Sequence, residues 1–290
     1  MALATLQGPF GPSRHVASLS TRHIAAMYET KCGVDVRRHF SADSIDLYEC
    51  LTTGYRFWRP ADVAGDEQFY RSVSASWSHY YRDWRWEYRH LAARVKRSDT
   101  LLEVGCGRGY FLRHIEDKVG TAIGLELNRE AMAQKVCRSQ VLAAKLEELA
   151  LDPTRQFDVI CSFQVLEHLP DPDSFLRASA RCLAPSGQLI LSTPNYDHVP
   201  FQQQEDAFDL PPHHIGHFSP SVFAKVAELY GLHVDRVFIE PRQFSLAPVT
   251  TRTSEALSYR AMRHAMKLMG QVMYGACREP GASFLVVLRK

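Results

Sequence analysis

Thr100-Leu-Leu-Glu-Val-Gly-Cys-Gly-Arg-Gly-Tyr110 is the stretch from which the fold is read. Leu101, Leu102 and Val104 flank a single acid, Glu103, and glycines at 105, 107 and 109 then break the run. A short apolar run bounded by glycine is a buried strand that ends in a turn where backbone approaches a neighbour closely. Apolar residues at 111, 112 and 115 follow at helical spacing, so the order is strand, glycine turn, helix N-terminus: a nucleotide-type cradle. A dinucleotide fingerprint places its third glycine three residues after the second, whereas here the interval is two. An acid two residues before the first glycine repels a pyrophosphate but accepts hydrogen bonds from an ammonium group. The expected ligand is therefore zwitterionic rather than polyanionic.

About 20 residues further on, Thr121-Ala-Ile-Gly-Leu-Glu126-Leu-Asn128 is a second apolar strand with an acid at its end, where a doubly wound fold places its ribose-binding acid. Three more segments follow in order: Lys145-Leu-Glu-Glu-Leu149, Phe157-Asp-Val-Ile-Cys-Ser-Phe-Gln-Val-Leu-Glu-His-Leu-Pro-Asp-Pro172, and Leu183 to Asn195. Together these five segments, over roughly 95 residues, resemble class I S-adenosylmethionine-dependent methyltransferases. The glycine turn alone carries far less weight than the ordered set.

The alternation of strand and helix patterns predicts an α/β, doubly wound, Rossmann-like sheet with ligands at the carboxyl ends of its strands. The resemblance implies seven strands, the last of them, Ser283 to Lys290, antiparallel. It also implies S-adenosyl-L-methionine as cofactor and S-adenosyl-L-homocysteine as its product. By that resemblance Glu103, Gly105, Cys106 and Gly107 hold the methionine end, with Tyr110 opening the helix beside them. Glu126 and Leu127 meet the ribose, Leu146 and Glu147 line the adenine, and Gln164 faces the methionyl portion. Cys106 reads as a small spacer in the turn and not as a nucleophile.

Base candidates follow from the chemistry, because methyl transfer to a hydroxyl requires in-line geometry and removal of a proton. His168 sits where the fourth core strand turns into a helix, and a neutral imidazole accepts a proton near pH 7. A second cluster, Pro211-Pro-His-His-Ile-Gly-His-Phe-Ser-Pro220, resembles a family loop that overhangs the acceptor, making His213 and His214 further candidates for base or substrate clamp. The three histidines of that loop have no carboxylate or cysteine fixed beside them in sequence, so no metal is expected.

Outside this core the chain divides at about residue 75. Residues 1–75 resemble the cysteine-knuckle ribbon that precedes many bacterial sugar and polysaccharide methyltransferases, but only Cys32 and Cys50 remain of two cysteine pairs. A degenerate ribbon held by apolar packing is expected, since a structural zinc wants four ligands. Residues 76–98, with large side chains at 77, 80, 81, 84, 88, 91 and 95, read as one helix that covers the sheet, and the resemblance implies that it lids the cofactor and brings Tyr80 or Tyr81 to it. Residues 99–195 form the cofactor-binding core and 196–290 the acceptor side. The latter contains a helical insertion whose Met262, Met266, Met269 and Met273 share one face, suited to the acceptor pocket or to a homodimer surface.

Composition sets the remaining bounds. A chain of 290 residues with 46% apolar content buries one large α/β core and an appendage. A formal net charge of +2 gives no support to a nucleic acid partner. Residues 1–20 carry no basic-then-apolar segment and no span for a membrane, and seven scattered cysteines fit reduced, buried thiols; a cytoplasmic protein is expected. The function expected is O-methylation of a sugar or glycan hydroxyl, as in polysaccharide biosynthesis. Natural-product O- or N-methylation and a non-catalytic binding protein of the same fold are the alternatives.

Overall fold

The computed structural model describes residues 5–77, 80–197, 206–241 and 281–290. Its larger sheet has seven strands: β5 (Thr100–Val104), β6 (Thr121–Leu125), β7 (Gln140–Leu142), β8 (Phe157–Phe163), β9 (Leu183–Pro194), β11 (His233–Ile239) and β12 (Ser283–Arg289). Their spatial order is β11-β12-β9-β8-β5-β6-β7. The strands from β7 across to β9 pair in parallel, and β12 runs antiparallel to both its neighbours, β9 and β11.

Period two along the strands produces two cores. Leu102, Val104, Ile160, Leu189, Leu191, Val286 and Leu288 face α6 (Leu146–Leu149), α7 (Pro172–Cys182) and α8 (Pro220–Glu228). Leu101, Val159, Cys161, Ile190, Leu285 and Val287 face α3 (Trp86–Ala92) and α4 (Tyr110–Ile115). Coverage on both sides is why β8 and β12 read as nearly continuous apolar runs. The chain runs from β5 outward through β6 and β7, then returns to the other side of β5 as β8. That reversal opens a crevice at the carboxyl ends of β5 and β8, where doubly wound sheets bind their ligands.

A second, five-stranded antiparallel sheet is built by β1 (Leu6–Gly8), β2 (Gly11–Ser20), β3 (Ser44–Cys50), β4 (Arg56–Arg59) and β10 (Gly216–His217), with α1 (Thr21–Cys32) and α2 (Glu67–Ser76) beside it. Its edge strand β10 comes from the histidine loop after β9. Trp58 N–H donates to the Ile215 carbonyl (2.9 Å), and Phe208, Leu210 and Ile215 share a core with Ile24, Tyr28, Trp58 and Phe69. The N-terminal piece therefore grips the histidine loop and holds it over the crevice. Cys50 is buried against the Phe10 carbonyl, Cys32 is only partly buried, and among the described residues neither joins a group able to hold a metal.

The single lid helix expected over 76–98 is not formed. Helix α2 stops at Ser76, residues 80–85 are irregular, and α3 occupies only Trp86–Ala92. The aromatic residues serve two cores rather than one face: Trp77 stacks on Phe208 (4.9 Å between ring centres) in the N-terminal layer, whereas Tyr88 packs on Phe111 (5.0 Å) under the large sheet. Helical periodicity cannot distinguish these arrangements when the large residues are divided between two cores. The Met-rich segment 259–273 lies outside the described residues.

Candidate active site

One cavity of about 1030 Å³ at the carboxyl ends of β5, β6 and β8 collects all the candidate residues named from the sequence. Gly105 N–H and Cys106 N–H both donate to the Leu125 carbonyl (2.8 and 3.0 Å), which tethers the glycine turn to the end of β6. Glu126 closes the same bend from the side. Its Oε2 accepts from Gly107 N–H (2.7 Å) and its Oε1 from Asn128 N–H (2.7 Å). Gly107 has φ +55°, and a Cβ there would lie 3.0 Å from the Tyr81 ring; at Gly105, with φ +73°, it would lie 2.5 Å from Val165. Only bare backbone fits this bend, as a ligand cradle requires.

Glu103 is 4% exposed and its Oε2 has no hydrogen-bond partner among the described residues. Burial, and secondarily the charge of Glu126, raise its carboxyl well above the usual range. A desolvated acid in a cavity wall is stabilised by an incoming cation. Leu146 is buried and Glu147 half-buried at the N-terminus of α6, Leu127 is exposed beyond Glu126, and Tyr110 opens α4; all four line the cavity. Tyr81 reaches it from the stretch before α3, with its hydroxyl accepting from Asn128 Nδ2 (3.0 Å) and the Arg108 guanidinium over its ring (5.1 Å). Gln164, at the end of β8, has φ +56°, a conformation L-residues rarely hold without a functional reason. Cys106 is buried and its thiol is raised far above ordinary values by burial, then by Glu103 and Glu126, so it stays protonated and packs as a spacer.

The histidines form the roof over the other end of the cavity. His168 Nδ1 donates to the His213 carbonyl (2.6 Å), His213 Nδ1 to the Phe208 carbonyl (2.9 Å), and His214 Nδ1 to Asp209 Oδ1 (3.3 Å). Ring centres lie 4.5 Å apart for His168 and His213 and 4.6 Å for His213 and His214. Burial lowers all three, His168 to about 4, so each is a neutral imidazole at neutral pH. His217 turns away: its Nε2 donates to the Asp209 carbonyl (3.1 Å) and its ring stacks on Tyr196.

Three residues of the site were not among the sequence candidates. Glu167 is 1% exposed, has both carboxylate oxygens unpartnered among the described residues, lies 3.9 Å from His168 Nε2, and is pushed up to about 8 by burial. Glu87 is equally buried on α3 and accepts from Ser192 Oγ (3.1 Å). Asp209 is 2% exposed beneath the histidine loop. Its position four residues before His213 was the only available signal, and nothing in the spacing said that it folds back under the rings.

Residues 76–237 match a family model described as a methyltransferase domain. The chain belongs to this family. It is similar to a probable S-adenosylmethionine-dependent methyltransferase of Mycobacterium tuberculosis, 38% identical over 121 residues that make up 41% of this chain and 43% of that protein. A ubiquinone biosynthesis O-methyltransferase of Pseudomonas paraeruginosa is 33% identical over 105 residues, 33% of this chain and 44% of that protein. The matches span about half the length of the first such relatives. Among solved structures, an S-adenosylmethionine-dependent methyltransferase from Archaeoglobus fulgidus shares the fold, with a TM-score of 0.51 at 19% identity over 70% of this chain and 94% of that one.

S-adenosylmethionine is the cofactor that goes with this family, and the residues present fit it. An unpartnered buried acid at Glu103 meets an ammonium group, a side-chain-free bend at Gly105 and Gly107 admits the methionine end, and Glu126 has acceptor capacity left for ribose hydroxyls.

Proposed function

We propose that this protein is an S-adenosylmethionine-dependent methyltransferase that methylates a hydroxyl oxygen of a sugar or glycan. The observation that carries the reading is that the cofactor cradle and the neutral histidine roof share one cavity. When bound, the cofactor supplies a methyl group on a sulfonium, and sulfur keeps the bonding electron pair as the acceptor oxygen attacks in line. The chain's own residues then have three tasks. Glu103 and the glycine turn hold the cofactor's amino-acid end, while Gln164 is placed beside its methionyl portion. His168 offers Nε2 to the acceptor hydroxyl and takes its proton, with Nδ1 fixed by the His213 carbonyl so that the lone pair faces the cavity. Tyr70, Tyr80 and the histidine loop cover that end and exclude water.

A hydroxyl acceptor is supported by the neutral imidazoles. The sugar assignment is supported by the N-terminal layer, which resembles the ribbon of sugar methyltransferases and holds the roof in place. A small aromatic acceptor is the second reading, favoured by the similarity to ubiquinone biosynthesis O-methyltransferases. A cytoplasmic location and a homodimer belong to the same proposal; among the described residues no helix is long and apolar enough to cross a membrane.

Calorimetric titration with S-adenosylmethionine tests the first half. One equivalent bound per chain is expected, and no binding would end the enzyme reading. Transfer of labelled methyl to panels of sugars, phenols and amines tests the second half: label in phenols or amines alone overturns the sugar assignment.

A further inference from the structure

We propose that His168, His213 and His214 form a three-nitrogen site for a divalent transition-metal ion of the zinc class, with an open coordination position facing the cavity. This goes beyond the function proposed above: the cofactor cradle is untouched by it, and only the base role given there to His168 gives way when an ion is bound. One ring nitrogen from each residue lies within 4.8 Å of the other two, and no other such group occurs among the described residues.

The ring orientations carry the inference. A carbonyl oxygen can only accept, so the contacts of His168 to the His213 carbonyl and of His213 to the Phe208 carbonyl fix the proton on Nδ1 in both rings. His214 places its Nδ1 against the buried carboxylate of Asp209. The nitrogens left over are the three Nε2 atoms, each with a lone pair. Metal-binding histidines use this arrangement, in which the second ring nitrogen donates to a carbonyl or carboxylate that holds the tautomer and the ring. His213 Nε2 provides an independent observation. Among the described residues it is unpartnered, in a ring that is 7% exposed, and a buried lone pair without a donor is destabilising unless something fills the place.

The donor set selects the ion. Neutral imidazole suits zinc, iron, copper and nickel and does not suit magnesium or calcium. Three protein ligands with a vacant fourth direction is the pattern of catalytic rather than structural zinc. Nitrogens sharing a zinc at about 2.0 to 2.1 Å stand roughly 3.3 Å apart, closer than the 4.8 Å within which each of the three rings brings one nitrogen, so binding draws the rings together. Asp209 is buried below the cluster and opposes the added positive charge. Glu167, with both oxygens unpartnered 3.9 Å from His168 Nε2, borders the open side. With an ion in place His168 is a ligand and no longer a base.

The test uses the full chain, stripped with a chelator and titrated with Zn²⁺ by calorimetry and with Co²⁺ by visible absorption. One equivalent per chain is expected, with the ligand-field bands of a nitrogen site and without the intense thiolate-to-cobalt band that cysteine ligation would produce. His213→Ala and His214→Ala should abolish this binding, and Asp209→Asn should weaken it by about 10- to 100-fold. A double Cys32→Ala, Cys50→Ala variant should leave it unchanged. If the His213 and His214 variants do not fold, His168→Gln, at the partly exposed ring of the three, carries the same prediction. The proposal is overturned by binding below one equivalent, by a thiolate band, or by binding that survives the histidine substitutions. Cofactor titration is read separately: a protein that binds S-adenosylmethionine but no metal loses only the metal site, and the reverse result loses only the methyltransferase reading.

Discussion

Replacing Glu126 is the most direct way to dismantle the cofactor cradle, and its cost can be worked out from the hydrogen bonds. The carboxylate accepts Gly107 N–H and Asn128 N–H, both at 2.7 Å, so two of its roughly four lone-pair sites are engaged and two face outward. The family reading gives the outward pair to ribose hydroxyls. A hydrogen bond to a charged group is worth about 1.5 to 3 kcal/mol, so Glu126→Ala should cost the cofactor about 3 to 6 kcal/mol. That corresponds to a loss of affinity of roughly 10² to 10⁴. Glu126→Gln keeps one oxygen and should lose about 1.5 to 3 kcal/mol, or roughly 10- to 100-fold. The glutamine amide also meets a backbone N–H as donor against donor, so its melting temperature should fall. Calorimetric titration with S-adenosylhomocysteine measures both variants, with circular dichroism to establish that they are folded. A folded Glu126→Gln protein that binds the product within about threefold of the parent would refute the assignment of Glu126 to the ligand.

Two further substitutions probe the frame around it. Gly107→Ala places a Cβ 3.0 Å from the Tyr81 ring at φ +55°, so we expect a loss of about 1 to 2 kcal/mol in urea unfolding and weaker cofactor binding. Glu116 accepts from Arg138 N–H, Ser139 N–H and Ser139 Oγ at 2.8 to 2.9 Å, and these bonds, with the nearby Arg138 charge, outweigh burial and lower its carboxyl below the usual range. A depressed carboxyl stabilises the fold fully above its unfolded value of about 4.3 and loses that contribution as pH falls through the folded value. Glu116→Ala should therefore cost about 1 to 3 kcal/mol at neutral pH, with the gap to the parent closing below about pH 4; a gap unchanged by acid refutes this account.

The core was legible because its signals are local. β5, β6 and β8 announce themselves as apolar runs, the bend at Gly105 and Gly107 needs residues that only glycine supplies, and Asn128 caps α5 (Arg129–Ala133) by accepting Glu130 N–H and Ala131 N–H, as its type and place suggest. The stretch from Trp77 to Val95 shows where such reading fails. Large residues at helical spacing imply one helix with one buried face, but Trp77 and Tyr80 are claimed by the N-terminal layer and Tyr88 and Leu91 by the large sheet, so the chain breaks between them. Competition between two cores leaves no trace in the period.

The roof of the cavity was hidden for a different reason. His168 and His213 are 45 residues apart, and what joins them is the pairing of β10 with β4, which draws the loop from beyond β9 onto the N-terminal sheet. Nor does sequence separate a solvated acid from a buried one. Glu87 lies among arginines and reads as part of a charged face, yet it is as inaccessible as Glu167. Glu87, Glu103 and Glu167 are all raised by burial, and among the described residues each leaves at least one oxygen unpartnered in the same cavity. Burying a polar group without a partner costs about 1 to 3 kcal/mol even when it is neutral, a load seldom kept where packing alone is served. Three such acids and three neutral imidazoles in one cavity are better understood as groups held ready for cationic ligands. On the function proposed here Glu103 serves the ammonium of the cofactor and the imidazole lone pairs a proton or a metal ion, while Arg85, lining the same cavity, is the chain's own counter-charge to the three acids.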